Sequence, residues 1–182
     1  MLRWIASLLL LVVLTFGLGS VAVAGLEDLV KAYSTVLYIG GVNLGKVVVD
    51  YRFKVIFTYT GKSFYKRLGR NKALLPNYLK EGEDYLFNGI GKRYLFCAML
   101  IVNRSGPFDP RLIKFVQGQA EYNLKLSDII GKKEFFAPAT FMTGDEVYGY
   151  FTVPKSRLLI KDPFYIFYGK YGTRMDLSKV IK

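Results

Sequence analysis

Val49-Asp50-Tyr51-Arg52-Phe53-Lys54-Val55-Ile56-Phe57-Thr58-Tyr59 alternates with a period of two. Val49, Tyr51, Phe53, Val55, Phe57 and Tyr59 fall on one face, and Asp50, Arg52, Lys54, Ile56 and Thr58 on the other. Successive side chains of a strand point to opposite sides, so the stretch reads as a β-strand with one buried and one wet face. Its length leaves room for a bend or bulge.

Downstream the same signal recurs in other forms. Tyr94 to Val102 is apolar on both faces and lies between Gly91-Lys92-Arg93 and Asn103-Arg104-Ser105-Gly106, which predicts a central strand covered on both sides. Leu112 to Val116, Glu121 to Leu126, Val147 to Val153, Phe164 to Tyr168 and a last segment with Met175 and Leu177 complete a set of about seven or eight short strands. Gly106-Pro107, Asp109-Pro110, Gly131, Thr143-Gly144-Asp145-Glu146, Pro154 and Asp162-Pro163 punctuate them. Fourteen Tyr and fourteen Phe suit a pleated, half-buried surface. The spacing predicts a mainly β fold, an antiparallel sandwich or barrel.

Upstream, Leu26, Leu29, Val30, Tyr33 and Leu37 recur at helical spacing and predict a short helix over 26–39, closed by Gly40-Gly41. Thr35 to Ile39 competes as a strand. The organisation expected is a short helical segment over 25–45 and a β-sandwich domain over 46–182. Gly61 to Gly91 is the least regular part, with six Gly or Pro positions that read as turns.

The first 24 residues carry an address. Arg3 is followed by an uncharged run from Trp4 to Leu26, dense in Leu and Val, that passes through Ala22-Val23-Ala24. A positive start, an apolar middle and an A-x-A end describe a secretory signal peptide cut after Ala24. The run is also long enough to span a bilayer and serve as a retained anchor, with Arg3 holding the N-terminus inside. Either way the body lies outside the cytoplasm, whether secreted, periplasmic or on the cell surface. Cys97 stands far from the cleavage site, which excludes a lipid-anchored cysteine there.

Composition excludes much chemistry. One cysteine makes no internal disulfide, and Cys97 sits in an apolar run as a small buried hydrophobe. The absence of histidine removes the commonest general base and most zinc, copper and haem sites. No cofactor motif appears; Gly89-Ile90-Gly91-Lys92-Arg93 is too short for a phosphate loop and leads into a strand. The net charge of +12 favours anionic partners: headgroups, an anionic envelope polymer or an acidic envelope protein. Export disfavours nucleic acid. Membrane contact is expected through residues 4–24.

The best candidate site is the basic cluster Lys62, Lys66, Arg67, Arg70 and Lys72, a loop for an anionic partner, with Phe64 and Tyr65 between the cations. A solvated loop is the plainer reading. Glu81, Glu83 and Asp84 offer carboxylate oxygens for Ca²⁺ but lack the ligand spacing of a calcium loop. Asn103-Arg104-Ser105 fits the N-glycosylation pattern. No pair of acids stands in a context diagnostic of glycoside hydrolysis.

Three pieces share the order of features of a known family. They are Tyr94 to Val102 with its turn Asn103-Arg104-Ser105-Gly106, the strand–turn unit around Gly131, and Gly144 to Pro154. From about residue 85 to 177 the chain resembles the immunoglobulin-like, telokin-like domain of unknown function found in secreted and lipid-anchored prokaryotic proteins. The resemblance implies an immunoglobulin-like antiparallel sandwich and an extracytoplasmic location, and it brings no catalytic residues. The chain departs from the family in the long basic stretch over Gly61–Gly91 and in lacking a lipid-anchor cysteine. The reading is an exported, non-enzymatic binding or structural protein of the cell envelope, acting through strand edges and the basic loop. The alternatives are a subunit of a surface filament or membrane-anchored complex that keeps residues 4–24, and a hydrolase of an envelope polymer.

Overall fold

The computed structural model describes residues 25–45, 47–131 and 139–181. The signal-peptide or anchor segment through Ala24 and the Phe135-Phe136 pair therefore lie outside the described residues. Residues 25–32 are helical (α1) and are followed by the strand Ser34–Ile39 (β1). The helical reading of 26–39 thus stops at Tyr33. From there Thr35, Leu37 and Ile39 pair with Phe57, Val55 and Phe53, and ladder partners prevail over helical spacing.

Two short strands, Val42–Asn43 (β2) and Val48–Val49 (β3), form a hairpin that pairs only with itself. The long alternating stretch does contain a break. Asp50 has φ of 54°, in the left-handed region, and β4 runs from Phe53 to Tyr59. The helix Lys62–Leu68 (α2), a 3₁₀ turn Gly69–Leu74 and the helix Asn77–Phe87 (α3) follow. Then come Arg93–Val102 (β5), Gly106–Phe108 (β6), Ile113–Gln117 (β7), Ala120–Asn123 (β8), Ile129–Ile130 (β9), Ala139–Phe141 (β10), Glu146–Pro154 (β11), Phe164–Tyr168 (β12) and Tyr171–Met175 (β13).

The fold is mainly β, and its sheets are antiparallel. One sheet has the order β1-β4-β5-β11-β9 and a second the order β13-β12-β7-β8; β6 pairs with β10. The apolar strand β5 holds the centre of the first sheet, in register with β4 (Phe57 opposite Ala98) and β11 (Phe151 opposite Phe96). One face of that sheet meets the second sheet. Phe96 and Phe151 stack at 5.6 Å, and Phe96 lies 5.4 Å from Phe115 and 6.2 Å from Phe164. All four rings are buried, and each contributes roughly 1.5–3 kcal/mol by leaving water. Phe108 closes one end of this core against Phe53 and Tyr168. At the sheet margins Thr35 Oγ1 donates to the Arg174 carbonyl at 2.9 Å and lies 2.8 Å from Thr173 Oγ1.

The other face of β5 and β11 is covered by α2 and α3, which corrects the irregular reading of Gly61–Gly91. Phe64, Tyr65 and Leu68 turn inward from α2, and Leu79 and Gly82 from α3. The Tyr65 hydroxyl donates to the Leu79 carbonyl at 2.7 Å, and that of Tyr150 to the Tyr78 carbonyl. Gly82 is not a turn residue. A Cβ there would sit 2.4 Å from the Tyr65 hydroxyl oxygen and 2.8 Å from the Tyr150 ring, so glycine lets the helix approach the sheet. Cys97 is buried beneath α3, its Sγ 3.7 Å from the Tyr78 carbonyl, and burial pushes its thiol well above the ordinary range. Among the described residues no helix is long and apolar enough to cross a membrane.

Candidate functional site: a cation-lined cleft at one end of the sheet

Antiparallel pairing brings the end of β4, the start of β5 and the end of β11 together. The ladders place Tyr59 opposite Phe96 and Pro154 opposite Arg93, and the Lys155 amide donates to the Lys92 carbonyl at 3.0 Å. Strand ends are where polar residues follow apolar ones, so three cations converge there: Lys62 just after β4, Arg93 opening β5 and Lys155 just after β11. They line a cleft of about 370 Å³ together with Tyr59, Gly61, Ser63, Tyr94, Ile90 and Ile181. Among the described residues, no Asp or Glu lines it. A concave site with cations of one sign and low-dielectric walls concentrates anions.

The aromatic wall is held in place. Tyr59 and Tyr94 meet edge to face at 6.2 Å, and Lys155 Nζ lies 5.5 Å from the centre of the Tyr94 ring. Gly61 is buried under Tyr59: a Cβ would stand 2.0 Å from the phenol oxygen. Burial pushes the Tyr59 phenol up to about 12, partly opposed by the neighbouring Ser63 side chain. Ser63 Oγ is nonetheless buried without a hydrogen bond of good geometry among the described residues, and a buried hydroxyl without a partner costs stability unless something satisfies it. Two glycines at positive φ, Gly89 and Gly91, carry the chain round the rim from α3 to β5.

Arg93 has a second duty. Its guanidinium pairs with the buried carboxylate of Asp128, its Nε donates to Thr152 Oγ1 at 2.6 Å, and a terminal NH₂ donates to the Thr152 carbonyl at 3.1 Å. Asp128 also accepts from the Tyr122 hydroxyl at 2.6 Å and the Lys125 amide at 2.8 Å. The charge of Arg93 is thus balanced by Asp128 and its guanidinium is fixed, whereas Lys62 and Lys155 are exposed and make no ion pair among the described residues.

The sequence-derived basic loop is not a loop. Lys62, Lys66 and Arg67 lie on α2, and Arg70 and Lys72 on the 3₁₀ turn, because Phe64, Tyr65 and Leu68 must face the sheet and their neighbours are driven outward. Nor do the five cations form one set. Lys72 is paired with Glu83, Arg67 donates to the Val180 carbonyl at 3.3 Å, and Arg70 is exposed. Lys62 and Lys66 line a groove between α2 and α3 that continues from the cleft through Lys62 and Leu86. Glu81, Glu83 and Asp84 follow one another along α3. Glu81 accepts from Tyr148 at 2.7 Å and Glu83 from Lys72, and among the described residues no cluster of carboxylates has the arrangement of a metal site.

Sequence reasoning missed Arg93 and Lys155 as site residues because they lie 31 and 93 positions beyond Lys62. The usable signal was the placing of each at the boundary of a strongly apolar strand. No family model, curated protein or solved structure matches the chain.

Proposed function

We propose that the chain is an exported, non-enzymatic binding protein of the cell envelope. Its cleft takes an anionic group of an envelope protein or envelope polymer. The observation that carries this reading is the convergence of Lys62, Arg93 and Lys155 on one aromatic-walled cleft whose lining, among the described residues, holds no Asp or Glu. The fold belongs to the same reading. Two facing antiparallel sheets with a phenylalanine core support an immunoglobulin-like sandwich to which α2 and α3 add an outer layer. The apolar N-terminal run and the net charge of +12 support the location and the sign of the partner. Glu81, Glu83 and Asp84 share one open hollow with Lys72 and Lys80, but all three stand on the same helix, with Glu83 paired to Lys72 and Glu81 accepting from Tyr148, and this favours binding over polymer hydrolysis.

Titration calorimetry with inorganic polyphosphate and with poly-glutamate tests the proposal. The expected result is binding at low ionic strength that weakens steeply with salt. Lys62→Ala and Lys155→Ala should each weaken it severalfold. Binding unchanged in the double variant, or no binding to either polyanion at low salt, overturns it.

A further inference from the structure

The rim of the cleft carries a chemically reactive dipeptide. Asn88 follows the last residue of α3, its amide donating to the Asp84 carbonyl at 3.0 Å, and Gly89 comes next. The chain holds six asparagines, and Asn88 alone precedes a glycine; Asn43, Asn71, Asn77, Asn103 and Asn123 precede Leu, Lys, Tyr, Arg and Leu. The side-chain carbonyl of an asparagine is open to attack by the amide nitrogen of the following residue. A glycine there, lacking Cβ, allows an approach that a larger residue obstructs.

The fold leaves this pair free to react. Both residues are exposed. Among the described residues neither the Asn88 side chain nor the Gly89 amide makes a hydrogen bond, so neither reacting group gives up a partner. Asn88 has ψ of 0° and must rotate for the ring to close. Residues 89–92 lie in no helix or strand, and the glycines at 89 and 91, with φ of 84° and 60°, can absorb that turn.

We infer that Asn88 is a site of spontaneous deamidation whose product loosens the hold of the cleft on anions. The Gly89 nitrogen attacks Cγ of Asn88. The N–Cγ bond forms, the bond from Cγ to the side-chain nitrogen breaks, and ammonia leaves with the proton of the Gly89 amide, closing a succinimide. Water then opens the ring at either carbonyl, giving aspartate or isoaspartate. The second routes the main chain through Cβ and so lengthens the rim by one methylene.

The consequence rests on the reading that the cleft binds anions; the chemistry does not. Gly89, Ile90 and Gly91 line the cleft, and among the described residues no Asp or Glu does. Asp84, one turn back on α3, lines a separate hollow with Lys80. Asn88 stands one Cα step, ~3.8 Å, from Gly89. Its conversion therefore brings a negative charge to the edge of a site whose free cations are Lys62 and Lys155. A like charge within about a Debye length of a bound anion, at a solvated rim, weakens binding about two- to fourfold. The same carboxylate stands at the negative end of the α3 dipole, which loosens the helix end that carries the rim.

Ageing the full chain in mildly alkaline buffer tests this. The tryptic peptide Glu81–Lys92 holds Asn88 as its one amide side chain. It should gain about one dalton and split into aspartyl and isoaspartyl forms within days, while the peptides with the other asparagines stay unchanged. Cation exchange separates aged from fresh protein. The aged form should bind poly-glutamate about two- to fourfold more weakly at low salt, with the gap closing at high salt. Fresh Asn88→Asp should reproduce that loss. Asn88→Gln, whose longer side chain closes a ring far more slowly, should keep both its mass and its affinity on ageing. The inference is overturned if Asn88 in the folded chain stays intact while the same synthetic peptide converts, or if Asn88→Asp binds poly-glutamate as tightly as the unmodified chain. Fresh protein that binds no poly-glutamate would instead sink the cleft reading and the consequence with it, leaving the peptide mass to judge the chemistry.

Discussion

Replacing Arg93 by Met should destabilise the protein far more than replacing Asp128 by Asn, although the two residues share one ion pair. The asymmetry follows from burial. The Asp128 side chain is 4% exposed and that of Arg93 31%. Arg93→Met strands a carboxylate that water cannot reach, which costs about 3–5 kcal/mol. Asp128→Asn leaves a guanidinium that still meets solvent and still donates to Thr152, and the new amide oxygen can accept from Tyr122 or Lys125, so the loss is about 1–2 kcal/mol. With a urea slope of about 2 kcal/mol/M, the Arg93→Met midpoint falls by roughly 1.5–2.5 M. The double variant removes the stranded charge and should be more stable than Arg93→Met alone. The difference should persist in high salt, because a pair this enclosed is poorly screened. Urea titrations of the four proteins read all of this. A cost below about 1 kcal/mol for Arg93→Met, or a larger cost for Asp128→Asn, would refute the reasoning.

Other outcomes follow from the same geometry. Phe96→Ala empties the centre of a ring cluster shared by both sheets and should cost about 3–5 kcal/mol in the same titration; a loss under 1 kcal/mol would mean that the sheets do not meet there. Gly61→Ala forces the Tyr59 ring aside, so it should weaken polyanion binding as well as stability, and Tyr59→Ala in the same chain should recover part of the stability. The Tyr59 phenol is raised from 10.0 to about 12, so its contribution to stability is intact below pH 10 and lost as pH climbs through 12. Absorbance at 295 nm should show phenolate from the exposed tyrosines first, and full titration near pH 10 would contradict the burial. Cys97, its thiol raised by burial, should ignore a thiol reagent at pH 8 until denaturant is added; rapid native labelling would place it at the surface.

The alternation in Phe53–Tyr59 and the two-sided apolar run of β5 were legible because each is a one-strand pattern imposed by its immediate surroundings. The α2–α3 layer was not, although Phe64, Tyr65 and Leu68, then Leu75, Leu79 and Gly82, carry helical spacing. Gly82 reads as punctuation in one dimension, and only the Tyr65 and Tyr150 rings packed against it show why a helix keeps it. Five cations close in sequence drew attention to Lys62–Lys72, yet α2 and the 3₁₀ turn send them in different directions. The cations that do converge stand at or just beyond the ends of three separate strands and meet only once the ladders are drawn. Lys62 is common to both groupings because it stands where the helix leaves the sheet.

The ladder that assembles the cleft also works as its ruler. Deleting two residues from the apolar part of β11 would keep the inward-facing set inward, since strand periodicity is two. It would nevertheless carry Lys155 about 6.6 Å along the sheet, away from Lys62 and Arg93. Length changes that the core tolerates should therefore erase the charge constellation first, leaving a folded chain blind to anions.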